Sequence, residues 1–305
     1  MSALPSPRST SCPFTGRLGM WTALREQRPQ PRPERLLLPS DPARCPFCRY
    51  EDPDPRLLPE AAERGGQRWF GVHNIFPPVD GPTGQADLAV ATDHDPTLTH
   101  LHPGLVTDWA TMLDVQQRLA GRSRDRWSML SAATGRTAGA SQHHPHGHVL
   151  TPAVLPVSTV RRQQRLLRAE VLDVLLAEEV TVAAVDGVRL LAPPVPLGPL
   201  DLVLLPERAE RFLDTDPDDV ARLIVRWIAG VHTLVDPEPD LPPTVAPFDA
   251  KVVLHPELPD GTGRWWGELS VTDRHAPGVA AVPLVDVRYP PEVHAERFRE
   301  AGSDR

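Results

Sequence analysis

Two stretches of the chain share the same order of apolar and polar positions. In the first, the apolar run 86–90 is followed by a loop and by apolar residues at helical spacing between residues 104 and 120. In the second, the apolar run 200–204 is followed by a loop and by a helical pattern over residues 216–234, which opens with acidic residues. The pattern therefore predicts a strand and an amphipathic helix in each stretch. The periodic positions of the first helix are Leu105, Trp109, Met112, Leu113 and Leu119.

A nearly constant offset between the two stretches indicates an internal repeat. Asp87 aligns with Asp201 (201 − 87 = 114) and His94 aligns with Arg208 (208 − 94 = 114), while the two Pro-Pro pairs lie 193 − 77 = 116 residues apart. Each copy is predicted to form a strand, a Pro-Pro turn, a second strand, a loop and a helix. The alternative is chance, because short patterns of strand and helix also coincide in unrelated segments.

The remaining segments add no further element with a clear period. Residues 1–44 are rich in Pro and Arg and predict an extended or partly disordered arm. A membrane-spanning helix is not expected, because the most apolar stretch, 181–206, contains charged residues and several prolines. The N-terminus lacks a charged start followed by an apolar run, so we expect no secretory signal and a cytoplasmic protein.

Charge and composition narrow the classes of partner. The chain has 305 residues, and 32 Lys and Arg against 40 Asp and Glu give a net charge of −8. Without an overall positive field, general binding to nucleic acid or to an anionic membrane surface is excluded. The length allows two domains, or one domain built from two similar halves. The three cysteines are too few for a disulfide framework, so metal binding or redox chemistry is favoured.

A cluster of histidines is the first candidate for chemistry. Four of them fall within six residues, and in a strand alternate residues project from the same face, which would align His144, His146 and His148. Three imidazoles on one face are typical of a metal site or a phosphoryl-transfer site, and glycines nearby let the backbone approach a phosphate closely. The alternative is a surface tract rich in histidine that binds stray metal. The cluster also includes His143, and the nearby glycines are Gly135, Gly139 and Gly147.

The CxxC sequence is the second candidate. Cys45 and Cys48 are two soft ligands with the spacing of a zinc knuckle. Because no second CxxC exists, two further ligands must come from elsewhere, and histidine is the natural partner. A thioredoxin-like redox role is less favoured, since no strand-CxxC-helix pattern surrounds the pair.

Several motifs in this order resemble one known family. They are Cys45-Pro46-Phe47-Cys48, Asn74-Ile75-Phe76-Pro77, Asp93-His94, Gly139-Ala140-Ser141 with His144-Pro145-His146-Gly147, Arg264-Trp265-Trp266-Gly267-Glu268-Leu269, Ala276-Pro277-Gly278 and Tyr289-Pro290-Pro291-Glu292 with Ala295 and Arg299. This series is similar to the galactose-1-phosphate uridylyltransferase family of the histidine-triad superfamily and covers about residues 45–300. The HPHG sequence with GxS upstream is its most specific part.

The resemblance implies a fold and an organisation of the chain. The expected fold is α+β, a tandem pair of histidine-triad-like halves with antiparallel sheets and flanking helices. We expect an arm over residues 1–44, a catalytic half with a zinc site over 45–155 and a degenerate second half over 156–305. The resemblance also implies a homodimer.

The resemblance further implies a metal site and a nucleophile. The family's structural zinc ligands match Cys45, Cys48, His94 and His144, and its nucleophile matches His146. His100 and His102 lie six and eight residues beyond His94 and are the alternative ligands. A neutral imidazole that attacks the α-phosphorus of a nucleotide forms a covalent nucleotidyl-histidine, which a second phosphate then attacks.

Substrate contacts follow from the same resemblance. Ser141 and the glycine-rich backbone, with Gly139 and Gly147, would hydrogen-bond the phosphoryl oxygens, and Asn74 would contact the nucleotide or its phosphate. Without the resemblance, Asn74 is equally well read as a turn residue before the Pro-Pro pair. Arg136 is expected to contact the phosphate, with a solvated side chain as the default.

The departures from the family pattern bear on the reaction. His148 stands where the family usually has Gln, so proton transfer and hydrolysis come within reach. Residues 132–135 replace the family's Glu-Asn-Lys-Gly, and the His-x-His-x-Glu of the second half becomes the segment 264–268. A second metal is therefore not expected, and galactose 1-phosphate is doubtful as the acceptor. For Trp265 and Trp266, core packing is favoured over stacking on a base.

The sequence therefore predicts an enzyme of nucleotide metabolism. The favoured function is a nucleotidyltransferase of carbohydrate metabolism. It moves a nucleoside monophosphate from a nucleotide sugar or nucleoside triphosphate to a sugar phosphate, with Zn as its metal. The first alternative is a hydrolase or phosphorylase of nucleotide sugars or dinucleoside polyphosphates. The second alternative is a non-catalytic, zinc-stabilised nucleotide-binding protein.

Overall fold

The secondary structure comes from a computed structural model that describes residues 8–11, 18–21, 41–50, 55–193, 200–235, 246–272 and 291–301. Its strands are β1 (Arg8–Ser11), β2 (Leu18–Trp21), β3 (Leu57–Arg64), β4 (Gln67–His73), β5 (Gly84–Ala91), β6 (Met129–Thr134), β7 (His146–Pro152), β8 (Thr181–Val185), β9 (Val188–Leu191), β10 (Leu202–Pro206), β11 (Asp249–His255) and β12 (Trp266–Thr272). Its helices are α1 (Leu105–Gly121), α2 (Val157–Leu166), α3 (Ala169–Leu175), α4 (Pro217–Val235) and α5 (Pro291–Ala301).

A single antiparallel sheet organises most of the chain. Its ten strands lie in the order β3-β4-β5-β7-β6-β11-β12-β10-β9-β8, while β1 and β2 pair with each other. Counted inward from either edge the order is the same, since β3-β4-β5-β7-β6 matches β8-β9-β10-β12-β11. In sequence, α1 and α4 each follow the third strand of their set. The two sets meet where β6 pairs with β11, from Leu130 opposite Leu254 to Thr134 opposite Ala250.

The two long helices cover one face of this sheet and form its main core. Both helices carry apolar residues at helical spacing, and these pack on alternate residues of the strands. Trp109 and Trp227 are fully buried, one on each helix, and their indole N–H groups donate to the carbonyls of Leu98 and Leu200. The core is continuous across both sets of strands.

The opposite face, which we call the open face, carries the other alternate residues. Over β9, β10 and β12 it is covered by α2 and α3, whose leucines pack on Leu191, Leu205 and Trp266. On β11, Lys251 projects from the open face, because its neighbours Ala250 and Val252 belong to the helix-side core. Lys251 is exposed and is the only lysine of the chain.

The structure confirms the α+β class and the two predicted helices, each within one residue of its expected bounds. The apolar run 86–90 lies in β5, and 202–204 lie in β10. The strand expected before the first Pro-Pro pair is wrong in position, because β4 ends at His73 and residues 74–80 form a loop. The two prolines of that loop lack the N–H that a ladder needs. The second Pro-Pro pair extends outside the described residues.

Other expectations fall mainly on residues that are not described. The expected arm, 1–44, is described only at β1, β2 and 41–44. The motifs at 276–278 and 289–290 also lie outside the described residues, whereas the residues that follow them form α5. Within the described part of the chain, none of the helices is both long enough and apolar enough to span a membrane.

Candidate active site and metal centre

Four of the predicted metal ligands come together in the structure. One ligand atom from each of Cys45, Cys48, His94 and His144 lies within 4.8 Å of the others. The Cys48 Sγ atom is 3.2 Å from Nδ1 of His94 and 3.4 Å from Nδ1 of His144. The Cys45 Sγ atom is 3.6 Å from Nδ1 of His144, and the two Nδ1 atoms are 3.2 Å apart. The cluster joins two 3-10 turns, Pro42–Arg44 and Phe47–Arg49, to the ends of β5 and β7.

The geometry of this cluster fits a tetrahedral metal ion. Ligand atoms that lie about 2.0 to 2.3 Å from zinc are roughly 3.3 to 3.8 Å from one another, close to the separations found here. The imidazole of His144 is oriented for this role, since its Nε2 donates to the carbonyl of Ala91 at 2.8 Å and its Nδ1 therefore carries the lone pair. The residues present could hold a metal ion.

The protonation states in the cluster also agree with metal binding. Burial, with smaller contributions from the neighbouring His94 and His146, lowers the pKa of His144 to about 4, so the ring is neutral near pH 7. Burial and the charge of Cys45 raise the pKa of the Cys48 thiol to about 11. The charge of Cys45 contributes to this rise because two thiolates at such short range repel each other. A bound cation would offset that repulsion and so favour the deprotonated thiols that a metal requires.

His146 is the first residue of β7 and projects from the open face. The next residue, Gly147, faces α1, where an added Cβ would lie only 3.0 Å from both Cδ of Gln116 and Sδ of Met112. Since side chains alternate along a strand, His146 and His148 both point away from α1. The strand is central, with Val90 of β5 opposite His146 and Ser131 of β6 opposite His148.

A backbone hydrogen bond fixes the tautomer of His146. Its Nδ1 lies 2.8 Å from the carbonyl oxygen of His144, and a carbonyl can only accept, so Nδ1 is the protonated nitrogen. The Nε2 atom then carries the lone pair that a nucleophile requires. The side chain is buried, with 4% of the residue exposed, and the ring of Phe47 packs against it at a centroid distance of 5.0 Å.

His148 lies beside His146 on the open face. Their ring centroids are 5.1 Å apart, with an angle of 64° between the ring planes. The residue is partly buried, and its backbone carbonyl accepts from Nε2 of Gln116, which also donates to the carbonyl of Ser131. His144 is not in the same row, since β7 begins at His146 and His144 turns toward the cysteines. The prediction of three aligned histidines is therefore wrong for His144 and right for the other two.

The glycine-rich loop, residues 135–145, connects the end of β6 to the start of β7. It contains Ser141, which is partly buried, and Gly139, whose φ of +95° lies in the region that favours glycine. Arg136 is exposed on this loop. The carboxylate of Asp249 accepts from the backbone N–H of Thr137 at 2.6 Å and from its hydroxyl at 2.7 Å.

Asn74 follows the end of β4, where His73 pairs with Asp87 and Asp87 with Val149, three residues beyond His146 along β7. Its Oδ1 accepts from the backbone N–H of Phe76 at 2.9 Å, a local bond that stabilises the turn before the Pro-Pro pair. The residue also lines a cavity of about 430 Å³ between the end of β4 and the start of β5. The turn interpretation of Asn74 is therefore confirmed, and its contact with a nucleotide stays a prediction.

An apolar cluster adjoins His146 on the open face. Val72, Leu88 and Val90 are buried there, and Phe47 and Tyr50 pack on them together with Leu57 and Phe70. Sequence reasoning missed this cluster, although two signals were available. Phe47 lies inside the CxxC itself, and the apolar runs of β4 and β5 are buried on both faces, as expected only for covered strands.

In the second half the segment 264–268 packs into the fold. Trp265 is fully buried in the main core and Trp266 is 5% exposed, which supports the packing interpretation. Trp266 stacks on the ring of His255 at 4.4 Å, and Glu268 forms an ion pair with Arg162 of α2. Nε2 of His255 lies 3.6 Å from Oε2 of Glu268.

The other polar candidates are placed as follows. His100 and His102, the alternative ligands, lie outside the cluster, and His102 is 3.3 Å from Asp108 at the start of α1. His232 is bonded through Nε2 to the carbonyl of Thr99. Arg122, the residue after the end of α1, pairs with Glu60.

This fold is that of the galT-like uridylyltransferases. A uridylyltransferase matches with a TM-score of 0.66 and 19% identity, covering 97% of this chain and 98% of that one. An ADP-glucose phosphorylase from Arabidopsis thaliana with bound ADP-glucose matches with a TM-score of 0.63 and 15% identity over 97% and 99%. A galT-like protein from Arabidopsis thaliana matches with a TM-score of 0.62 and 14% identity over 97% and 99%. No family model and no curated protein matches the sequence.

Proposed function

We propose that the protein is a nucleotidyltransferase that works through a covalent nucleotidyl-histidine on His146. The observation that carries this proposal is the hydrogen bond from Nδ1 of His146 to the carbonyl of His144, which puts the lone pair on Nε2. The ring is buried and packed against Phe47, so its orientation is defined before a substrate binds. Enzymes that share the fold, an ADP-glucose phosphorylase and a uridylyltransferase, support the reaction class.

The reaction consists of two balanced displacements. In the first, Nε2 of His146 attacks the α-phosphorus of a nucleotide sugar or a nucleoside triphosphate. A P–N bond forms, the P–O bond to the leaving phosphate breaks, and the electron pair leaves with that oxygen. In the second, a phosphate oxygen of the acceptor attacks the same phosphorus, and the P–N electron pair returns to Nε2. Nδ1–H stays bonded to the carbonyl of His144 and stabilises the positive charge that develops on the ring.

The residues around His146 suggest roles for the rest of the site. Ser141 and the backbone near Gly139 and Gly147 would bind the phosphoryl oxygens, with Arg136 free to reach a more distant phosphate. The apolar cluster that includes Phe47 is suited to a nucleobase, and Asn74, which lines the cavity between β4 and β5, would contact the nucleotide. A sugar phosphate is the proposed acceptor.

We assign zinc to the cluster of Cys45, Cys48, His94 and His144. Two thiolates with two imidazoles are a typical zinc donor set, and the interatomic separations suit a tetrahedron. When bound, the ion would link the CxxC turns to the start of β7 and so hold His146 in place; it would take no part in the displacements. His144 joins the two sites, since its ring faces the cysteines while its carbonyl holds His146.

The organisation of the chain completes the proposal. We interpret the matching strand order of the two sets as tandem histidine-triad-like halves, the first catalytic over residues 45–155 and the second degenerate over 156–305. A homodimer with a role in carbohydrate metabolism is proposed on the resemblance alone, and a cytoplasmic location stays a prediction from the sequence.

Mass spectrometry of the intact protein tests the covalent step. The protein is incubated with ADP-glucose, UDP-glucose and nucleoside triphosphates and kept at neutral pH, because phosphoramidates are labile in acid. We expect the mass of one nucleoside monophosphate on the wild type and none on His146→Ala. His232→Ala is the matched control, since that histidine also bonds a backbone carbonyl but lies on α4. An adduct that persists in His146→Ala would refute the assignment.

A hydrolase or phosphorylase is the second candidate, and the position of His148 favours it. Its ring lies 5.1 Å from that of His146, close enough to pass a proton to a leaving group or to take one from water. Free nucleoside monophosphate that accumulates without an acceptor, and stops in His148→Gln, would support hydrolysis. Release of a nucleoside diphosphate that requires inorganic phosphate, which would attack the nucleotidyl-histidine in place of water, would indicate a phosphorylase. Saturable binding without turnover would instead support a zinc-stabilised binding protein.

A further inference from the structure

We propose that Asp249 is a positioning residue that sets the place of the glycine-rich loop beside His146. This inference rests on the proposed function, in which that loop holds the phosphoryl group. Asp249 is 3% exposed and lies in the second half of the chain, 112 residues beyond the residue that it holds. It stands at the junction of the two sets of strands.

The register of the sheet brings Asp249 to the loop. Ala250 of β11 lies opposite Thr134, the last residue of β6, so Asp249 lies opposite Gly135, the first residue of the loop. Asp249 is also paired across the sheet with Thr272 of β12, which fixes its backbone in the ladder. The carboxylate therefore projects from a rigid strand and not from a second loop.

Two hydrogen bonds and one close approach connect the carboxylate to the loop. Oδ2 of Asp249 accepts from both the N–H and the hydroxyl of Thr137, at 2.6 and 2.7 Å. Bonds to an ionised acceptor are stronger than neutral ones. Gly135 has a φ of +82°, and an added Cβ would meet the Asp249 side chain and lie 3.0 Å from its Cα. The absence of a side chain at Gly135 is what lets the carboxylate reach Thr137.

The loop is thereby held at both ends. At its far end, His144 is fixed by the carbonyl of Ala91 and by the cysteine cluster. At its near end the described contacts are those to Asp249 and the internal bonds of the turn, from Ala140 N–H to the carbonyl of Gly135 and from Gly139 N–H to the carbonyl of Arg136. Ser141 and Gly139 lie between the two anchors. A shift of the near anchor therefore moves the groups proposed to hold the phosphoryl group.

Amide hydrogen exchange and adduct formation together test this role. Asp249→Ala removes both acceptor bonds, so we expect peptides over residues 135–143 to exchange at least about tenfold faster. The rate of nucleotidyl adduct formation at saturating ADP-glucose or UDP-glucose should fall by about 10- to 100-fold, since small misplacements slow in-line attack. Asp249→Asn keeps an oxygen acceptor and should stay within about threefold of the wild type.

Matched variants separate positioning from general stability. Asp260 accepts from the N–H and hydroxyl of Thr262 at 2.9 and 2.6 Å on an exposed loop, so Asp260→Ala removes the same kind of bonds and should change neither readout. If Asp249→Ala does not fold, Thr137→Val, which loses the hydroxyl bond only, takes its place. Unchanged exchange of the loop, or an adduct rate within twofold of the wild type, would overturn the inference. If the wild type forms no adduct, the proposed function fails, and loop exchange alone decides the role of Asp249.

Discussion

At the residue scale, the candidate site depends on a close contact between Gly147 of β7 and Gln116 of α1. Gly147 separates the two open-face histidines and lets the Gln116 amide reach the carbonyls of Ser131 and His148. That glutamine is 1% exposed and connects the backbones of β6 and β7 from the side of the sheet that α1 covers. In the order histidine, glycine, histidine, the two histidines therefore project from the open face, and the glycine leaves room for Gln116 on the opposite face.

Gly147→Ala should destabilise the protein. The added methyl group would lie too close to Gln116 and Met112, and relieving such overpacking typically costs about 1–3 kcal/mol in the free energy of unfolding. Urea denaturation measures the loss. Gly121→Ala, at the last residue of α1 with no atom near the added Cβ, is the control and should be neutral or slightly stabilising. Equal stabilities for the two variants would contradict the packing account.

Removal of the metal should lower both stability and adduct formation. We expect about one zinc ion per chain, lost on treatment with a chelator and in Cys48→Ser, together with a lower melting temperature. Metal content by mass spectrometry and thermal melting provide the measurements. Cys12→Ser, which changes the third cysteine of the chain, should retain the metal. A full metal content in Cys48→Ser would count against this ligand set.

At the residue scale, the site residues that belong to short sequence motifs could be predicted from the sequence. The CxxC spacing indicated Cys45 and Cys48, the family resemblance supplied His94 and His144, and strand alternation placed His146 and His148 on one face. It did not identify Asp249 or Gln116, because their contacts join residues distant in sequence and leave no periodic signal. A glutamine on the apolar face of α1 is the one hint that sequence inspection offered.

At the scale of elements, α1 has a continuous apolar face, but the acidic residue in its first turn is buried where its ionised form is disfavoured. Asp108 lies in its first turn, where the helix dipole favours a negative charge, yet burial and the charge of Asp93 raise its pKa to about 6. The folded state therefore holds the proton of Asp108 more tightly than the unfolded chain does. His102, 3.3 Å away, does not offset this, because burial and His100 lower its own pKa.

A pH dependence with a defined sign follows from Asp108. Because its folded pKa is raised, the cost of ionising it is absent below the unfolded pKa of about 4, grows as the pH rises and is complete above about 6. Asp108→Asn should therefore gain stability relative to the wild type between pH 4 and pH 7. Asp114→Asn on the same helix loses ion pairs with Arg64 and Arg118 and should show no such gain. Chemical denaturation at several pH values makes the comparison, and a constant difference for Asp108→Asn would contradict it.

Element positions were predicted well wherever periodicity and termination signals agreed. The two long helices have acidic or glycine-containing starts and strong 3.6-residue periods, and both were found within one residue. The strand before the first Pro-Pro pair was placed too late, because apolar residues 75–76 lie in a loop shaped by Asn74 and the prolines. Apolar character alone does not distinguish a strand from a covered loop.

At the scale of the whole molecule, the two sets of strands share one sheet and one hydrophobic core. β6 and β11 pair across the junction, and the core is continuous from α1 to α4. Gln117 of α1 adds to this link by donating to the carbonyls of Phe212 and Thr215 in the second half. The sequence predicted two similar halves but not the pairing of β6 with β11, because residues so far apart in the chain leave no periodic signal.

Unfolding should accordingly be a single cooperative transition. Fluorescence of tryptophans in either half and circular dichroism should report coincident midpoints in urea, because neither half can expose its junction strand without breaking the shared core. The difference in fluorescence between the wild type and Trp69→Phe reports one tryptophan of the first set of strands, and the difference between the wild type and Trp227→Phe reports one that packs on the second set. Two separate midpoints would show that the halves unfold independently.

The single lysine gives the open face a chemical handle. Lys251 lies opposite Ala133, and Ala132 lies opposite Gly147, which puts the lysine two strands from His146, or roughly 10 Å between backbones. With no second lysine in the chain, an amine-reactive dye has only this side chain and the N-terminal amine to modify. If nucleotides bind at His146 as proposed, a fluorophore attached there would report their arrival and departure without any engineered cysteine.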